Sequence, residues 1–285
     1  MNNQLTVRSL FDREDVRAKF KEMLGKRAPQ FITSVLQVTS QNSLLANADP
    51  VSVYQSAVLA ATLDLPLNPN LGFAYIVPYN KKQPDGSHKC VAQFQVGAKG
   101  FKQLALRTGH FKTIHESDVR EGEMKSYDRL TGNIHFNWIQ DDKERERMPV
   151  VGYVSYFELK DGYSQTFYMP IEKLKEHAEK YSQTYKRGYG MWIDDFDAMC
   201  RKTVTKLNLS KNAPLSLSII QLALTADQAV INDAETVDVD YVDNDIEKVD
   251  KVKERKAIVE QLEGEVAADI TEVTKQVKAK KLNNV

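Results

Sequence analysis

Residues 93–112, QFQVGAKGFKQLALRTGHFK, run from an apolar strand through a Gly-x-x-Gly turn straight into a helix studded with bases. A strand that hands over through glycine to a helix N-terminus ties two elements together. It also makes a ready anion site, because the first helical amides have no partner of their own. Two kinds of protein would use such a turn: a nucleotide enzyme with a phosphate loop, or a protein that grips a nucleic-acid backbone. A phosphate loop requires GxxxxGK[ST], with backbone amides around the phosphates and Lys and Ser/Thr on the terminal phosphate and Mg²⁺. Gly97-Ala98-Lys99-Gly100 does not match, and neither that pattern nor GxGxxG occurs elsewhere in the chain. An ATP motor is not expected.

On a helical wheel, Phe101, Leu104, Ala105 and Thr108 fall on one face, and Lys99, Lys102, Gln103 and Arg107 on the other. A basic helix face is ordinarily a solvated one with mixed signs. Here the window is one-sided: Lys81, Lys82, Lys89, Lys99, Lys102, Arg107 and Lys112 face a single acid, Asp85. A stripe of one sign is an electrostatic footprint for a polyanion. The formal net charge of zero hides this. Residues 1–230 carry 30 Lys+Arg against 25 Asp+Glu, and residues 231–285 carry 9 against 14.

Around the turn, the chain reads as helices, then strands, then helices. DREDVRAKFKEML, APQFITSVLQVTSQNSLL and DPVSVYQSAVLAATLDL are helical, the last with Asp49 as N-cap and Pro50 at the first helical position. GFAYIVPYN and KCVAQFQV form a hairpin around KKQPDGSH. FKTIHESDVREGE, MKSYDRLTG, NIHFNWIQDD, MPVVGYVSYFEL and YSQTFYMP are strands. IEKLKEHAEKY, MWIDDFDAMCRKTVTKLNL and LSLSIIQLALTADQAVI are helices. This order predicts an α+β fold with a central antiparallel-rich sheet and packed helices, rather than alternating βαβ units. Beyond residue 230 the composition turns acidic: DAETVDVDYVDNDIEKVD carries eight acids and one lysine. We expect a mobile acidic linker over 231–250 and a helical or partner-binding tail over 251–285.

Two further segments bear on function. In MWIDDFDAMCRKTVTKLNL the acids Asp194, Asp195 and Asp197 come first and the bases Arg201, Lys202 and Lys206 follow, an order that helix-dipole matching partly explains. In YSQTYKRGYG, Tyr181, Tyr185 and Tyr189 interleave with Lys186 and Arg187, a composition suited to stacking on bases while cations hold phosphates. The alternative is a surface loop whose tyrosines pack on the domain. Glu158-Leu159-Lys160 has the E-x-K spacing of metal-dependent nucleases, but no upstream carboxylate is clearly placed and Lys160-Asp161-Gly162 reads as a hairpin turn. Cys90 and Cys200 form no CxxC pair, the histidines show no HExxH spacing, and no apolar run approaches the roughly 18 residues of a membrane span. These features point to a soluble intracellular protein without a structural metal.

The ordered series LNPNLGFAYIVPYN, VAQFQVGAKGFKQLALRTG, DVREGE, LKDG and WIDDFDAMCRKTVTKL, over roughly residues 50 to 215, resembles the RecT family of phage and prophage recombinases. An aromatic or related residue is usual in the family where Ala98 stands here. The resemblance implies a protein that is not an enzyme: an ATP-independent, single-strand annealing protein of phage recombination in the bacterial cytoplasm. It implies assembly into rings or helical filaments and binding of single-stranded DNA and of the annealed duplex. It implies a partner 5′–3′ exonuclease and, through the tail, a host single-stranded-DNA-binding protein as a further candidate. Mg²⁺ enters as a charge screen or weak ligand. Under this resemblance Lys81, Lys82, Lys89, Lys99, Lys102, Arg107, Lys112, Lys186, Arg187, Arg201, Lys202 and Lys206 are the expected DNA contacts. Lys99 and Lys102 would lie by the glycine turn, and Arg201, Lys202 and Lys206 on the opposite wall of the same groove.

Overall fold

A computed structural model of the chain describes residues 5–83, 85–214 and 216–240. Five helices open it: α1 (Val7–Phe11), α2 (Glu14–Leu24), α3 (Ala28–Gln41), α4 (Ser43–Ala46) and α5 (Pro50–Thr62). Helix α5 is the axle of this half. Its small residues Ser52, Ser56, Ala57, Ala60 and Ala61 are buried along with Val53 and Leu59, so other elements approach it closely on several sides. Ser52 Oγ takes the Ala92 amide at 2.8 Å, stitching the helix to a strand. Asp49 and Pro50 occupy the expected cap and first-turn positions, but the Asp49 carboxylate makes no cap bond and pairs with Lys89 Nζ at 3.3 Å instead.

The hairpin β1 (Ala74–Lys82) and β2 (His88–Val96) follows, with Lys81 opposite Lys89 and Lys82 opposite His88 at its basic tip. Then come α6 (Ala98–Arg107), β3 (Phe111–Arg120), β4 (Met124–Tyr127), β5 (Ile134–Phe136), α7 (Asp142–Arg147), β6 (Val150–Leu159) and β7 (Ser164–Pro170). Strands β3, β6 and β7 make an antiparallel sheet, while β1–β2 and β4–β5 are separate ladders. The back half holds α8 (Ile171–Tyr181), α9 (Gln183–Lys186), α10 (Met191–Asp194), α11 (Phe196–Asn212), α12 (Ser218–Ala226) and the ladder β8 (Val230–Asp233) with β9 (Asp238–Asp240). The α+β class is as the sequence predicts. Among the described residues, no helix is long and apolar enough to cross a membrane.

One core joins the N-terminal helices, the β1–β2 hairpin, α6 and α12 around Phe11, Phe20, Phe94, Phe101 and Phe157. A smaller one lies beneath α8 and α11, with Tyr153, Leu174, Trp192, Cys200 and Val204.

Three expectations need correcting. The helix read over MWIDDFDAMCRKTVTKLNL breaks at Asp195, whose φ of −146° is not helical and whose carboxylate accepts the Ala198 amide to start α11. The helix read over LSLSIIQLALTADQAVI ends at Ala226, and the chain then pairs with β2 through reciprocal bonds between Phe94 and Gln228–Ala229. The linker expected from residue 231 instead begins as strand: Ile231 and Ala234 are buried, and the Ala234 amide bonds Gln55 Oε1 at 3.2 Å. Acids misled here because Asp233 spends its carboxylate on the turn, accepting Glu235 N and Thr236 Oγ1. Residues 241–250 and the tail expected over 251–285 lie outside the described residues.

The glycine turn is now explained by packing. A Cβ on Gly97 would lie 2.1 Å from the Gly72 carbonyl oxygen, and one on Gly100 would lie 2.1 Å from the Phe73 carbonyl oxygen. The Gly97 amide donates to Phe73 O at 2.8 Å. The close backbone approach that the two glycines permit is to the chain's own segment before β1. Gly100→Ala is therefore expected to destabilise the protein by about 1–3 kcal/mol or more, the scale of overpacking a closed core. Urea melts of the variant should show a lower midpoint, whereas a wild-type midpoint would mean that α6 is free to shift.

Candidate nucleic-acid interface

Most of the bases singled out by the sequence already have a carboxylate. Lys102 Nζ lies 2.7 Å from Glu116, and Lys112 Nζ 2.8 Å from Glu158. Arg107 binds Asp64 at 3.1 Å and donates to the Leu63 and Asp64 carbonyls, satisfying the open C-terminal end of α5. Arg201 reaches Asp197 at 2.7 Å and Asp118 at 2.9 Å. The one-sided window of residues 81–112 is thus balanced by acids from outside it, Glu116 just beyond its end and Asp49, Asp64 and Glu158 from farther along the chain. Glu158, offered for a nuclease site, is Lys112's partner, and the turn behind it has Gly162 at φ +93°. Among the described residues no group of three or more His, Cys, Asp or Glu could hold a metal ion.

Lys202 is the clearest correction. It is 8% exposed, so it does not line a groove. Its ammonium lies 3.2 Å from Asp227 Oδ1, Lys206 Nζ lies 2.7 Å from Oδ2, and the Val96 amide donates to Oδ1 at 2.8 Å. Burial opposes ionisation of Asp227, yet the two lysines outweigh it and hold the carboxyl below the usual range. Burial likewise depresses the Lys202 ammonium, with Asp227 opposing. Because Val96 is the last residue of β2, this triad sits directly behind the glycine turn. Lys206, one-quarter exposed, is its outward member.

A second ionic cluster braces the sheet. Asp118 binds Arg120 at 2.7 Å, Arg145 at 3.2 Å and Arg201 at 2.9 Å, and the fully buried Glu123 takes Arg145 at 2.7 Å. The DVREGE segment is therefore a structural node, and α7, capped by Asp141 at its N-terminus, supplies Arg145 to it. Sequence reasoning did not single out Asp118, Glu123, Arg145 or Asp227. The available signal for Asp227 was a lone acid inside an apolar run.

Among the described residues, Lys82, Lys99, Lys186 and Arg187 are exposed and form no ion pair. Lys99 stands at the start of α6, where the amides of Ala98, Lys99 and Gly100 have no acceptor among the described residues. Arg187 lines a cleft of about 360 Å³ together with Tyr79, Asn80, His88, Gln183 and Tyr189. That cleft brings together two of the segments the sequence offered separately, the basic-tipped hairpin and the YSQTYKRGYG loop. Tyr181 and Tyr185 turn the other way, into an aromatic group with His177 and Trp192.

The chain matches the RecT family over residues 29–241. It is 41% identical over 223 residues to the uncharacterized protein YqaK of Bacillus subtilis (strain 168), covering 78% of this chain and 72% of that protein. It is 28% identical over 214 residues to protein RecT of Escherichia coli (strain K12), covering 73% of this chain and 76% of that protein.

His177, its ring tilted against Tyr181 with centroids 4.6 Å apart, is pushed down to about 4 by burial, with Lys206 and Lys180 adding repulsion. Its folded value lies below its unfolded one, so protonation favours the unfolded chain. Stability should be full above about pH 6.5 and decline as pH falls towards 4. Substituting Gln for His177 should flatten that part of a stability–pH profile measured by denaturant melts. An unchanged slope would locate the acid sensitivity elsewhere.

Proposed function

The chain belongs to the RecT family, whose members anneal single strands in recombination and are not enzymes, and from that premise we propose how this protein does so. It holds the backbone of a single strand on the surface that runs along the β1–β2 hairpin and the 183–189 loop, leaving bases free to test a second strand. The observation that carries this is the cleft at which the unpaired Arg187 of the loop meets Asn80 and His88 of the hairpin, with Lys186 next to Arg187 in the chain and Lys82 opposite His88 at the hairpin's tip.

Cations already bound to carboxylates cost more to recruit, since each must give up a partner before a phosphate gains one. The unpaired Lys82, Lys99, Lys186 and Arg187 are therefore the first contacts, and Lys89 and Lys112, in exposed and screened pairs, are the next. The open amides and Lys99 at the start of α6 add a further anion-attracting end. Phosphate contacts carry no sequence information, so base pairing between the two strands supplies recognition. Copies of the chain arranged as a ring or filament would extend the held strand, and Mg²⁺ would screen repulsion between the two backbones. A 5′–3′ exonuclease that exposes the strand is the natural partner.

Purified protein should accelerate annealing of two complementary oligonucleotides with Mg²⁺ and no nucleotide, leaving both strands at full length on a gel. Shortened strands would overturn this reading. Replacing Lys186 and Arg187 together by alanine should weaken binding at every sequence. It should also reduce the salt slope by about 1.4, two phosphate contacts at roughly 0.7 each for a single strand. A slope identical to wild type would remove the loop from the interface.

A further inference from the structure

The cleft between the hairpin and the 183–189 loop offers more than a grip on phosphate needs. Its volume, about 360 Å³, falls within the ~300–1,000 Å³ of sites that take small organic groups. Pro78 and Tyr79 wall it from β1 and Tyr189 from the loop, where Tyr189 is 52% exposed. Asn80 and Gln183 line it with side-chain amides that have no hydrogen-bond partner among the described residues. Phosphate recognition uses cations and N–H donors; tyrosine faces and free amides match a heteroaromatic ring that stacks and presents both donors and acceptors at its edge.

The loop is built to hold its shape. Ser182 Oγ accepts the Tyr185 amide at 3.2 Å and contacts Thr184 Oγ1 at 3.1 Å, and the Tyr189 amide donates to Thr184 O at 3.1 Å. Gly190, at φ +91°, leaves room for Thr184, whose Oγ1 would lie 2.8 Å from an added Cβ. The backbone that carries Arg187 and Tyr189 is thus fixed beside the cleft, which lowers the ordering cost when a ligand arrives. The glycines of YSQTYKRGYG serve a tight turn.

We propose that this cleft takes one unstacked nucleobase of the bound single strand. Tyr79 and Tyr189 supply the stacking faces, Asn80 and Gln183 the edge contacts, and Arg187 the adjoining phosphate. Any base presents a π-face, so the pocket fixes where the strand lies on the protomer without reading its sequence. The inference rests on the functional reading above.

The test crosses a protein substitution with removal of the bases. Full-length wild type, Tyr189→Ala, Asn80→Ala and Arg187→Ala would be titrated with oligothymidylate and with an all-abasic strand of equal length. Tyr189→Ala should weaken oligothymidylate binding about tenfold, the scale of one lost base–aromatic stack, and leave abasic binding unchanged. Asn80→Ala should behave the same way with a smaller loss, and Arg187→Ala should weaken both ligands alike. Equal losses on the two strands for Tyr189→Ala, or no loss on either, would overturn the base pocket while leaving the annealing function standing. Failure of wild type to bind either strand would overturn both.

Discussion

A buried carboxylate, Asp227, holds the central joint of this fold. It accepts the last amide of β2 and two ammonium groups from α11, and its own amide closes α12 on Ala223. Strand β2 leads into the glycine turn, so one side chain fixes the end of a strand, the start of α6 and the face of α11. A buried ion deprived of its partner typically costs about 3–5 kcal/mol, so the three elements are bound to move together or not at all. The Gly97 and Gly100 contacts with Gly72 and Phe73 close the same joint from the other side. The turn that looked like a phosphate cradle is first of all a packing device. Its outer end, with Lys99 and open amides, is what remains for a ligand.

The same division runs through the whole charge distribution. Asp118, Glu123 and Asp227 take up Arg120, Arg145, Arg201, Lys202 and Lys206, and these pairs are partly or wholly buried. They brace the sheet and α11. Of the cations singled out by the sequence, the unpaired Lys82, Lys99, Lys186 and Arg187 lie exposed at the ends of a strand and of helices, where they cost little in desolvation and are open to a polyanion. An excess of five positive charges over residues 1–230 thus understates how unevenly they are deployed.

Much of the architecture was legible because it rests on local signals. The runs GFAYIVPYN and KCVAQFQV on either side of Pro-Asp-Gly marked the β1–β2 hairpin, and the spacing of Phe101, Leu104 and Ala105 marked the buried face of α6. What stayed hidden depended on partners far away in sequence. Asp195 and Asp227 read as ordinary helical acids, yet one stops a helix to cap the next and the other leaves the helix to pair with a strand. The 231–240 stretch has a disordered composition, but Ile231 and Ala234 find a core that only tertiary structure supplies. In the candidate site the tyrosine–arginine loop was visible as a composition, and its neighbour across the cleft was not. That neighbour is set by the fold bringing β1 beside α9, for which periodicity gives no sign.

The lysines show why a basic stripe is a weak guide to individual contacts. Lys102 and Lys99 are three residues apart on one helix, and the sequence ranks them equally. In the fold Lys102 leans on Glu116, where it ties α6 to β3, while Lys99 faces solvent at the helix start. Under the proposed function, a strand of DNA would meet the second without rearrangement and the first only by breaking an ion pair that also positions the helix. Long-range electrostatic attraction would draw on both, because field depends on charge and not on pairing geometry. Close contact would distinguish them. Under the proposed function, the annealing surface is defined less by where positive charge is dense than by where the fold leaves it uncommitted, and among the cations the sequence singled out that is beside the hairpin cleft and at the outer end of the glycine turn.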